Sequence, residues 1–357
     1  MKKIVFTGGG SAGHVTPNVA LIEKLKAEPQ YALYYIGSHK GIEKKIIEQT
    51  HIPYFEVSCG KLRRYFSWKS FVEPFKIFWG IVQSFFMLRK IKPQVVFSKG
   101  GFVAFPVVVA AWLARIPVIA HESDFTPGLA NRLSFPFLKT LCITFPETKK
   151  YVPKTVKVVE TGTPIREKFF LATREQGLSF CNFTENKKVI LVAGGGLGAE
   201  CINNTIRLLL PKLLESYQVI HLCGPKRINV ALKGLTGYKQ YEYLHDEMYN
   251  VMACADIVVS RSGANALYEL IGLKKPHILI PLSKKASRGD QIVNAKYFEK
   301  AGISLVIPEE KLTAETLFEA INTIQAQSET YRQAREQYDY KNGVENIYQI
   351  LVSSCKI

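Results

Sequence analysis

The strongest constraint on the fold is a pattern that occurs twice in the 357-residue chain. Two lysines, a short apolar run and a glycine-rich turn lead into a helix, first in KKIVFTGGGSAGHVTPNVAL (2–21) and again in KKVILVAGGGLGAE (187–200). After each start, β-branched runs alternate with helical patterns, and strands separated by helices predict a parallel sheet covered on both faces. The sequence therefore predicts an α/β protein with two Rossmann-like domains in tandem. We place the first domain at 1–162, the second at 163–340, and at 341–357 a C-terminal helix that packs back on the first domain.

The formal charge of +17 restricts the partners of the chain. Such an excess suits nucleic acid, an anionic membrane surface or phosphorylated substrates. The seven cysteines form no C-x-x-C pair, which is typical of a reduced, cytosolic chain without a metal cluster. The apolar run before the first glycines is too short for a signal peptide, and no run approaches the roughly 18 apolar residues that cross a bilayer. We therefore expect a soluble or at most peripheral membrane protein.

The two glycine-rich turns are candidate phosphate sites, because a turn between a strand and a helix exposes backbone N–H groups at the positive end of the helix dipole. The first turn (7–13) matches the dinucleotide fingerprint, with a simple packing turn as an equal alternative. Ser-His-Lys (38–40) stands where NAD enzymes carry an acidic residue, so an NADP enzyme stays open. The second turn (194–198) lacks the Gly-Lys-Ser/Thr of an ATPase. Two such domains place their turns on opposite walls of one cleft, which favours a sugar-nucleotide transferase.

Polar residues at predicted strand ends in the second half are candidates for binding a nucleotide sugar. Arg261 is a cation where a diphosphate would arrive, and the carboxylate of Glu269 suits two ribose hydroxyls. Arg166 is a second diphosphate contact or a solvated hinge residue. Gln291 and Asn294, three apart on one predicted helix, share a face that suits sugar hydroxyls. The structural alternatives are an ordinary helix start and surface charges.

Candidates for proton transfer lie in the first half. His14 begins a helix after the first glycine turn, where a neutral imidazole could take a proton from an acceptor hydroxyl or simply cap the helix. His121, Glu122 and Asp124 follow another strand, and any of them could orient or deprotonate the acceptor. We predict His14 and Glu122 as catalytic residues, and no metal-ligand spacing is present.

Seven blocks in one order carry a resemblance that covers nearly the whole chain. They are GGGSAGHVTPNVAL, FSKGGFVAFPV, HESDFTPGLANR, TGTPIR, GGGLGAECIN, SRSGANALYEL and SRGDQIVNAKYFEKAG. The chain resembles the MurG family of peptidoglycan glycosyltransferases, which move N-acetylglucosamine (GlcNAc) from UDP-GlcNAc to undecaprenyl-diphosphate-N-acetylmuramyl-pentapeptide (lipid I), giving lipid II. The resemblance implies a GT-B fold, with the donor in the C-terminal domain and lipid I in the N-terminal one. It also implies an inverting transfer to the 4-OH of MurNAc without metal or cofactor, in cell-wall synthesis, cell shape and division.

The same resemblance assigns individual residues to the donor and supports His14 as the base. The donor residues it implies are Ser11, Ala12 and Gly13 at the N-terminal turn, Asp124 facing the sugar, Arg166, Gly196 and Arg261 at the diphosphate, Leu244 at uracil through its backbone, Glu269 at the ribose, and Asp290 and Gln291 at sugar hydroxyls. Two departures stand out: Gly196 replaces a usual serine, and Asp124 a usual asparagine. These departures leave a catalytically weakened paralogue that binds lipid-linked precursors as one alternative, and the fingerprint of the first glycine turn leaves an NADP-dependent oxidoreductase as another.

The segment 61–93 mixes aromatic and basic residues and is too short and interrupted to span a bilayer. Such a segment suits an anionic membrane interface, with a core helix of the first domain as the alternative. A lipid-linked acceptor favours the membrane, and no groove-reading pattern supports nucleic acid. We expect a peripheral protein on the cytoplasmic face of the bacterial membrane, with division or elongation proteins as further partners.

Overall fold

The computed structural model describes residues 1–60, 72–284, 287 and 289–355. The chain forms two compact units, and the α/β class predicted from the sequence is confirmed. The first unit consists of Met1–Arg166 and Lys341–Ile357, and the second of Glu167–Tyr340. Residues 163–166, assigned above to the second domain, thus lie in the first unit. The second unit is an insertion in the first, because the chain leaves the first unit once and then returns to it.

In the described part of the first unit, seven parallel strands form one sheet in the order β3-β2-β1-β4-β5-β6-β7. The strands are β1 (Lys2–Thr7), β2 (Tyr31–Ser38), β3 (Tyr54–Val57), β4 (Val95–Ser98), β5 (Val118–Glu122), β6 (Thr140–Ile143) and β7 (Lys157–Glu160). The helices are α1 (Thr16–Lys26), α2 (Ile42–Glu48), α3 (Glu73–Ile91), α4 (Ala104–Leu113), α5 (Leu129–Ser134) and, at the end of the chain, α14 (Gly343–Ser354). The central strands β4 and β5 are buried along their whole length because helices cover both faces of the sheet.

The helix α14 completes the core of the first unit. Its residues Ile347 and Leu351 are fully buried in the same cluster as Ile22 and Leu25 of α1. The chain re-enters this unit beside Gly162, whose φ of +77° suits glycine and where an added Cβ would lie 1.9 Å from a backbone oxygen. The last helix is therefore part of the first folding unit.

The described residues of the second unit form a parallel sheet in the order β10-β9-β8-β11-β12-β13. The strands are β8 (Lys188–Ala193), β9 (Tyr217–Leu222), β10 (Tyr238–Tyr241), β11 (Ile257–Ser260), β12 (His277–Leu279) and β13 (Leu305–Val306). The helices are α6 (Lys168–Leu171), α7 (Arg174–Cys181), α8 (Glu200–Ser216), α9 (Glu247–Cys254), α10 (Ala264–Gly272), α11 (Asp290–Lys300), α12 (Ala314–Ala326) and α13 (Ser328–Gln337).

Each sheet reverses its strand order beside its first strand, between β1 and β4 and between β8 and β11. In open α/β sheets, ligands bind outside the carboxyl ends of the strands at such a point. The glycine-rich turns after β1 and β8 lie at these two positions, and they are therefore the candidate ligand sites of the fold. Across the part of the chain that the structure describes, no helix combines the length and apolarity needed to cross a membrane.

Candidate active site

The glycine turn after β1 is filled by a carboxylate of the chain itself. Glu43, at the start of α2, is fully buried and accepts N–H bonds from Gly10 and Ser38, both at 3.2 Å. A Cβ added at Gly9 would lie 2.5 Å from the Glu43 carboxyl carbon, so the glycine is needed for this close approach. A pyrophosphate at this turn would have to displace a buried carboxylate, and the dinucleotide reading of the turn is therefore not favoured.

The polar residues after β2 are also engaged with carboxylates of the chain. The Ser38 hydroxyl hydrogen-bonds to Glu43, and the His39 Nδ1 atom lies 2.6 Å from a carboxylate oxygen of Glu56. These contacts engage Ser38 and His39, two of the side chains that an NADP enzyme would turn toward a 2′-phosphate. An NADP-dependent oxidoreductase is therefore not favoured by this segment either.

His14 ends a single 3-10 turn, Ala12–His14, and its N–H donates to the Ser11 carbonyl at 3.1 Å. Ser11 is exposed, and His14 is half-buried. The imidazole lies against Gly101, where an added Cβ would be 3.0 Å from its Cδ2 atom and 2.1 Å from the Gly9 carbonyl oxygen. The imidazole thus packs against the backbone of Gly101, and its Nδ1 atom is buried.

Glu122, at the end of β5, organises the loop that follows it. The buried carboxylate accepts N–H bonds from Asp124 at 3.0 Å, Gly128 at 2.8 Å and the Asn131 side chain at 2.9 Å. Burial and the charge of Asp124 raise the pKa of Glu122. A carboxylate with three such donors is suited to holding a loop.

His121 lies on the same strand but is fully buried, with its Nε2 atom 2.9 Å from the Gly162 carbonyl oxygen. Burial and the nearby charge of Lys99 lower the pKa of His121 well below its ordinary value. The imidazole is therefore neutral, and its Nε2–H donates to the carbonyl. Asp124, in contrast, is partly exposed, so of these three residues it is the one a substrate can reach.

The turn after β8 is open, in contrast to the first turn. Among the residues that the structure describes, a Cβ added at Gly195 or Gly196 would meet no atom within 4 Å, and Leu197 is 80% exposed. Within the turn, the Gly198 N–H donates a 2.9 Å hydrogen bond to the Gly195 carbonyl. The 17-residue helix α8 follows without a side-chain cap. The backbone N–H groups at the start of α8 therefore form an uncovered site for an anion.

Arg261 follows β11 and is only 8% exposed. Its guanidinium donates to Glu309 at 3.0 Å and to the Ile280 carbonyl at 3.1 Å, with the Cys201 sulfur at 3.4 Å. The carboxylate of Glu309 balances its charge. In the structure, Arg261 thus joins three chain segments of the second unit, and its contact with a diphosphate stays a prediction.

The predicted sugar-binding pair on α11 is separated by burial. Asn294 is 0% exposed, and its amide donates to the Ser262 carbonyl at 3.3 Å, so its predicted contact with a sugar does not fit the structure. Gln291 is partly exposed, and its side-chain oxygen accepts the Leu282 N–H at 3.0 Å, which fixes the orientation of the amide. Asp290 opens the same helix and is partly exposed.

The other predicted residues fall into two groups by exposure. Arg166 and Glu269 are partly exposed, whereas Leu244 is nearly buried, which a contact through its backbone allows. Among the residues described, no group of three or more His, Cys, Asp or Glu side chains is placed to hold a metal ion.

Sequence reasoning missed two buried charged residues at this site, Glu43 and Lys99. Lys99 carries a signal, because it is a charge within the apolar run VVFSKGGFVAF. Glu43 carries none, since it lies in the charged stretch IEKK, where an exposed helix face is the ordinary expectation.

Two parallel sheets of Rossmann order, with an open glycine turn at the strand-order reversal of the second, are typical of the GT-B fold of nucleotide-sugar glycosyltransferases. The N-terminal domain of glycosyltransferase family 28 matches residues 4–143, and the C-terminal domain of that family matches residues 189–349. The chain therefore belongs to glycosyltransferase family 28, and its resemblance to the MurG members is confirmed.

Individual relatives agree with this assignment. The UDP-N-acetylglucosamine--N-acetylmuramyl-(pentapeptide) pyrophosphoryl-undecaprenol N-acetylglucosamine transferase of Clostridium perfringens (strain SM101) is 52% identical over 353 residues, covering 99% of this chain and 98% of its own. The transferase of the same name from Legionella pneumophila (strain Paris) is 55% identical over 321 residues, 90% of this chain and 88% of its own. The crystal structure of Acinetobacter baumannii MurG aligns with a TM-score of 0.75 at 23% identity, covering 99% of this chain and all of that one, and supports the fold.

Proposed function

We infer that the protein transfers GlcNAc from UDP-GlcNAc to lipid I in peptidoglycan synthesis. The observation that carries this inference is the glycine turn before α8, open at Gly195 and Gly196, which offers backbone N–H groups to a diphosphate in the unit that matches the family's C-terminal domain. Relatives at 52% and 55% identity are named for this transfer. The departure at Gly196 removes a hydroxyl but keeps the backbone N–H, so a weakened, non-catalytic paralogue is not favoured.

The second unit holds the donor in this proposal. The N–H groups at the start of α8 stabilise the diphosphate that leaves with UDP, since charge developing on the leaving group meets fixed dipoles. Glu269 accepts from the ribose hydroxyls, the Leu244 backbone reads uracil, and Asp290 and Gln291 contact the sugar. Partial exposure of Glu269, Asp290 and Gln291 supports these roles. Arg261 and Glu309 keep the β11 end in place beneath them.

The first unit supplies the base and the acceptor site. His14 takes the proton of the MurNAc 4-OH as its oxygen attacks the anomeric carbon and the bond to UDP breaks, which inverts the configuration. The half-buried position of His14 in the turn after β1 supports this role, whereas the full burial of His121 does not. Glu122 is committed to its loop and acts as a positioning residue. Asp124 and the turn Ser11–Gly13 face the donor sugar, and Arg166 adds a positive charge toward the diphosphate.

The helix α3 is proposed as the membrane contact. Phe75, Phe78, Trp79 and Phe86 are 76, 65, 55 and 68% exposed, and their spacing of three, four and seven residues places them along one face. Exposed apolar groups in such a row mark an interaction surface. The opposite face is fixed to the domain at Gly80, where an added Cβ would lie 2.1 Å from a backbone oxygen. Of the predicted segment 61–93, residues 61–71 lie outside the described residues.

Basic residues beside this face favour an anionic bilayer. Lys76, Arg89 and Lys90 are exposed on the same helix, and each cation near an anionic surface contributes about 1 kcal/mol. We place the protein on the cytoplasmic face of the membrane, where nucleotide sugars are available and where a lipid-linked acceptor keeps its anchor in the bilayer. Proteins of division and elongation are proposed as further partners.

The decisive experiment measures transfer of labelled GlcNAc from UDP-GlcNAc to a short-chain lipid I analogue, with and without EDTA. We expect product at the same rate in both, because backbone dipoles and cationic side chains supply the charge stabilisation. Protection of the protein from heat by UDP without any product would contradict the transferase function and favour a binding protein.

A further inference from the structure

A buried lysine lies beneath the proposed acceptor site, and the mechanism above does not use it. Lys99 directly follows β4 and is 2% exposed. Lysine is almost never fully buried unless it is paired, because moving an ammonium out of water is costly. Its position therefore requires an explanation from its neighbours.

The backbone places Lys99 under the first glycine turn. Its N–H donates to the Thr7 carbonyl at 2.9 Å, which continues the pairing of β4 with β1. A Cβ added at Gly8 would lie 3.1 Å from the Lys99 Cβ, so the side chain starts directly below the turn that carries His14. From there its ammonium reaches the end of β5 and donates to the Ser123 hydroxyl.

The charges around this ammonium come from the loop after β5. Burial lowers the pKa of Lys99 to about 8, while the carboxylates of Glu122 and Asp124 act in the opposite direction. His121 faces the same charge, which contributes to its own lowered pKa. One ammonium thus serves two carboxylates that are separated by a single residue, and the charge of Asp124 raises the pKa of Glu122.

We propose that Lys99 is a positioning residue for glycosyl transfer: its ammonium holds Ser123 and balances the charges of Glu122 and Asp124, so that the loop after β5 keeps the Asp124 carboxylate in place for its contact with the donor sugar. This inference rests on the proposed placement of Asp124 toward the donor. It makes the effects of the two residues interdependent, because without the ammonium the carboxylates of Glu122 and Asp124 face each other uncompensated, and replacing Asp124 as well removes that repulsion.

A double-mutant cycle tests the coupling. We compare Lys99→Met, Asp124→Asn and the combined variant by kcat, by KM for UDP-GlcNAc and by thermal unfolding. Methionine keeps the unbranched shape, and asparagine keeps the size of the aspartate. We expect Lys99→Met to lower kcat about 30-fold and Asp124→Asn about tenfold, and the combined variant to recover to within about threefold of the parent. Losses that multiply in the combined variant would overturn the proposal.

Lys275→Met is the matched control. Its ammonium also donates to buried backbone carbonyls, those of Ala253 and Ala255 at 2.7 and 2.9 Å, and burial likewise lowers its pKa. We expect this variant to melt at a lower temperature with kcat unchanged, which separates loss of a buried lysine from loss of positioning. A similar loss of kcat in Lys275→Met would contradict the inference. A parent protein without transfer activity would instead refute the proposed function itself.

Discussion

Single residues decide which of two similar glycine turns is filled by the chain itself and which is left open. The turns after β1 and β8 share their sequence pattern and their position at the strand-order reversal. The first contains the Glu43 carboxylate, whereas in the second no described atom beyond the chain neighbours lies within 4 Å of a Cβ built at Gly195 or Gly196. The difference lies in a residue 33 positions away from the turn, so the motif alone carries no information about it.

Glu43→Gln tests the internal carboxylate. Its two oxygens accept from N–H groups on different segments, Gly10 and Ser38, and an amide must turn an NH₂ group toward one of these donors. We expect the free energy of unfolding to fall by about 1–3 kcal/mol, measured by urea denaturation. The exposed residue Glu48 of the same helix provides the control, and Glu48→Gln should leave stability unchanged. An unaltered stability in Glu43→Gln would contradict the role of this carboxylate.

His14→Ala tests the base. General-base catalysis contributes about 10²–10⁴-fold, so we expect kcat to fall by that factor. Thermal protection by UDP should persist, because the proposed UDP contacts lie in the second unit. His51→Gln, at an exposed position, is the control. Full activity in His14→Ala would transfer the role of base to another group.

The positions of the motifs could be predicted from the sequence, whereas most contacts between distant segments could not. His14, Glu269 and Gln291 could be proposed because a residue beside a glycine turn or at a strand end has a position that the fold class determines. The burial of Asn294 and the ion pair of Arg261 with Glu309 could not, since they depend on segments 32 and 48 residues away. Long-range packing decides which polar side chains remain available to a ligand.

At the scale of secondary-structure elements, the helix α3 has two faces of different character. Composition alone left a core helix and a segment at the membrane interface as alternatives for this part of the chain. The structure resolves the helix into two faces, with Gly80, Ser84 and Leu88 buried and Phe78 and Trp79 exposed. The element is a domain helix on one side and an apolar surface on the other.

The membrane contact is tested on this face. We expect Phe78→Glu with Trp79→Glu to reduce binding to vesicles containing phosphatidylglycerol by about tenfold or more, because two apolar side chains are lost and negative charge faces anionic lipid. Binding is measured by vesicle sedimentation, and pure phosphatidylcholine should retain less of the parent protein. Leu208→Glu, on α8 and 75% exposed, is the matched control. Equal vesicle binding by the parent and by the Phe78→Glu, Trp79→Glu variant would assign the membrane contact to another surface.

At the scale of the whole molecule, buried histidines set the response to acid. Burial lowers the pKa of His221 to about 3 and of His277 to about 4, both in the second unit. Below pH 6.5 these histidines bind protons in the unfolded chain, whereas in the folded chain they stay neutral down to about pH 4. Stability from these groups is therefore complete above pH 6.5 and is lost as the pH falls.

We expect the unfolding free energy to drop between pH 6.5 and 4 by about 1.4 kcal/mol per pH unit for each such histidine. His277→Asn should reduce this slope by one proton, whereas the exposed His51→Gln should not change it. Chemical denaturation at pH 7.0, 6.0 and 5.0 measures the slope. An identical slope in His277→Asn and the parent would contradict the assignment.

The return of the chain to its first unit has a consequence for biosynthesis. A ribosome releases the second unit, 167–340, as one continuous stretch, but the first unit lacks Ile347 and Leu351 until the final residues have been added. Until then the apolar side of α1 has no partner from α14. The domain that is made first is thus completed last, and a nascent chain stopped at residue 340 would carry a finished second domain beside an unsealed first one.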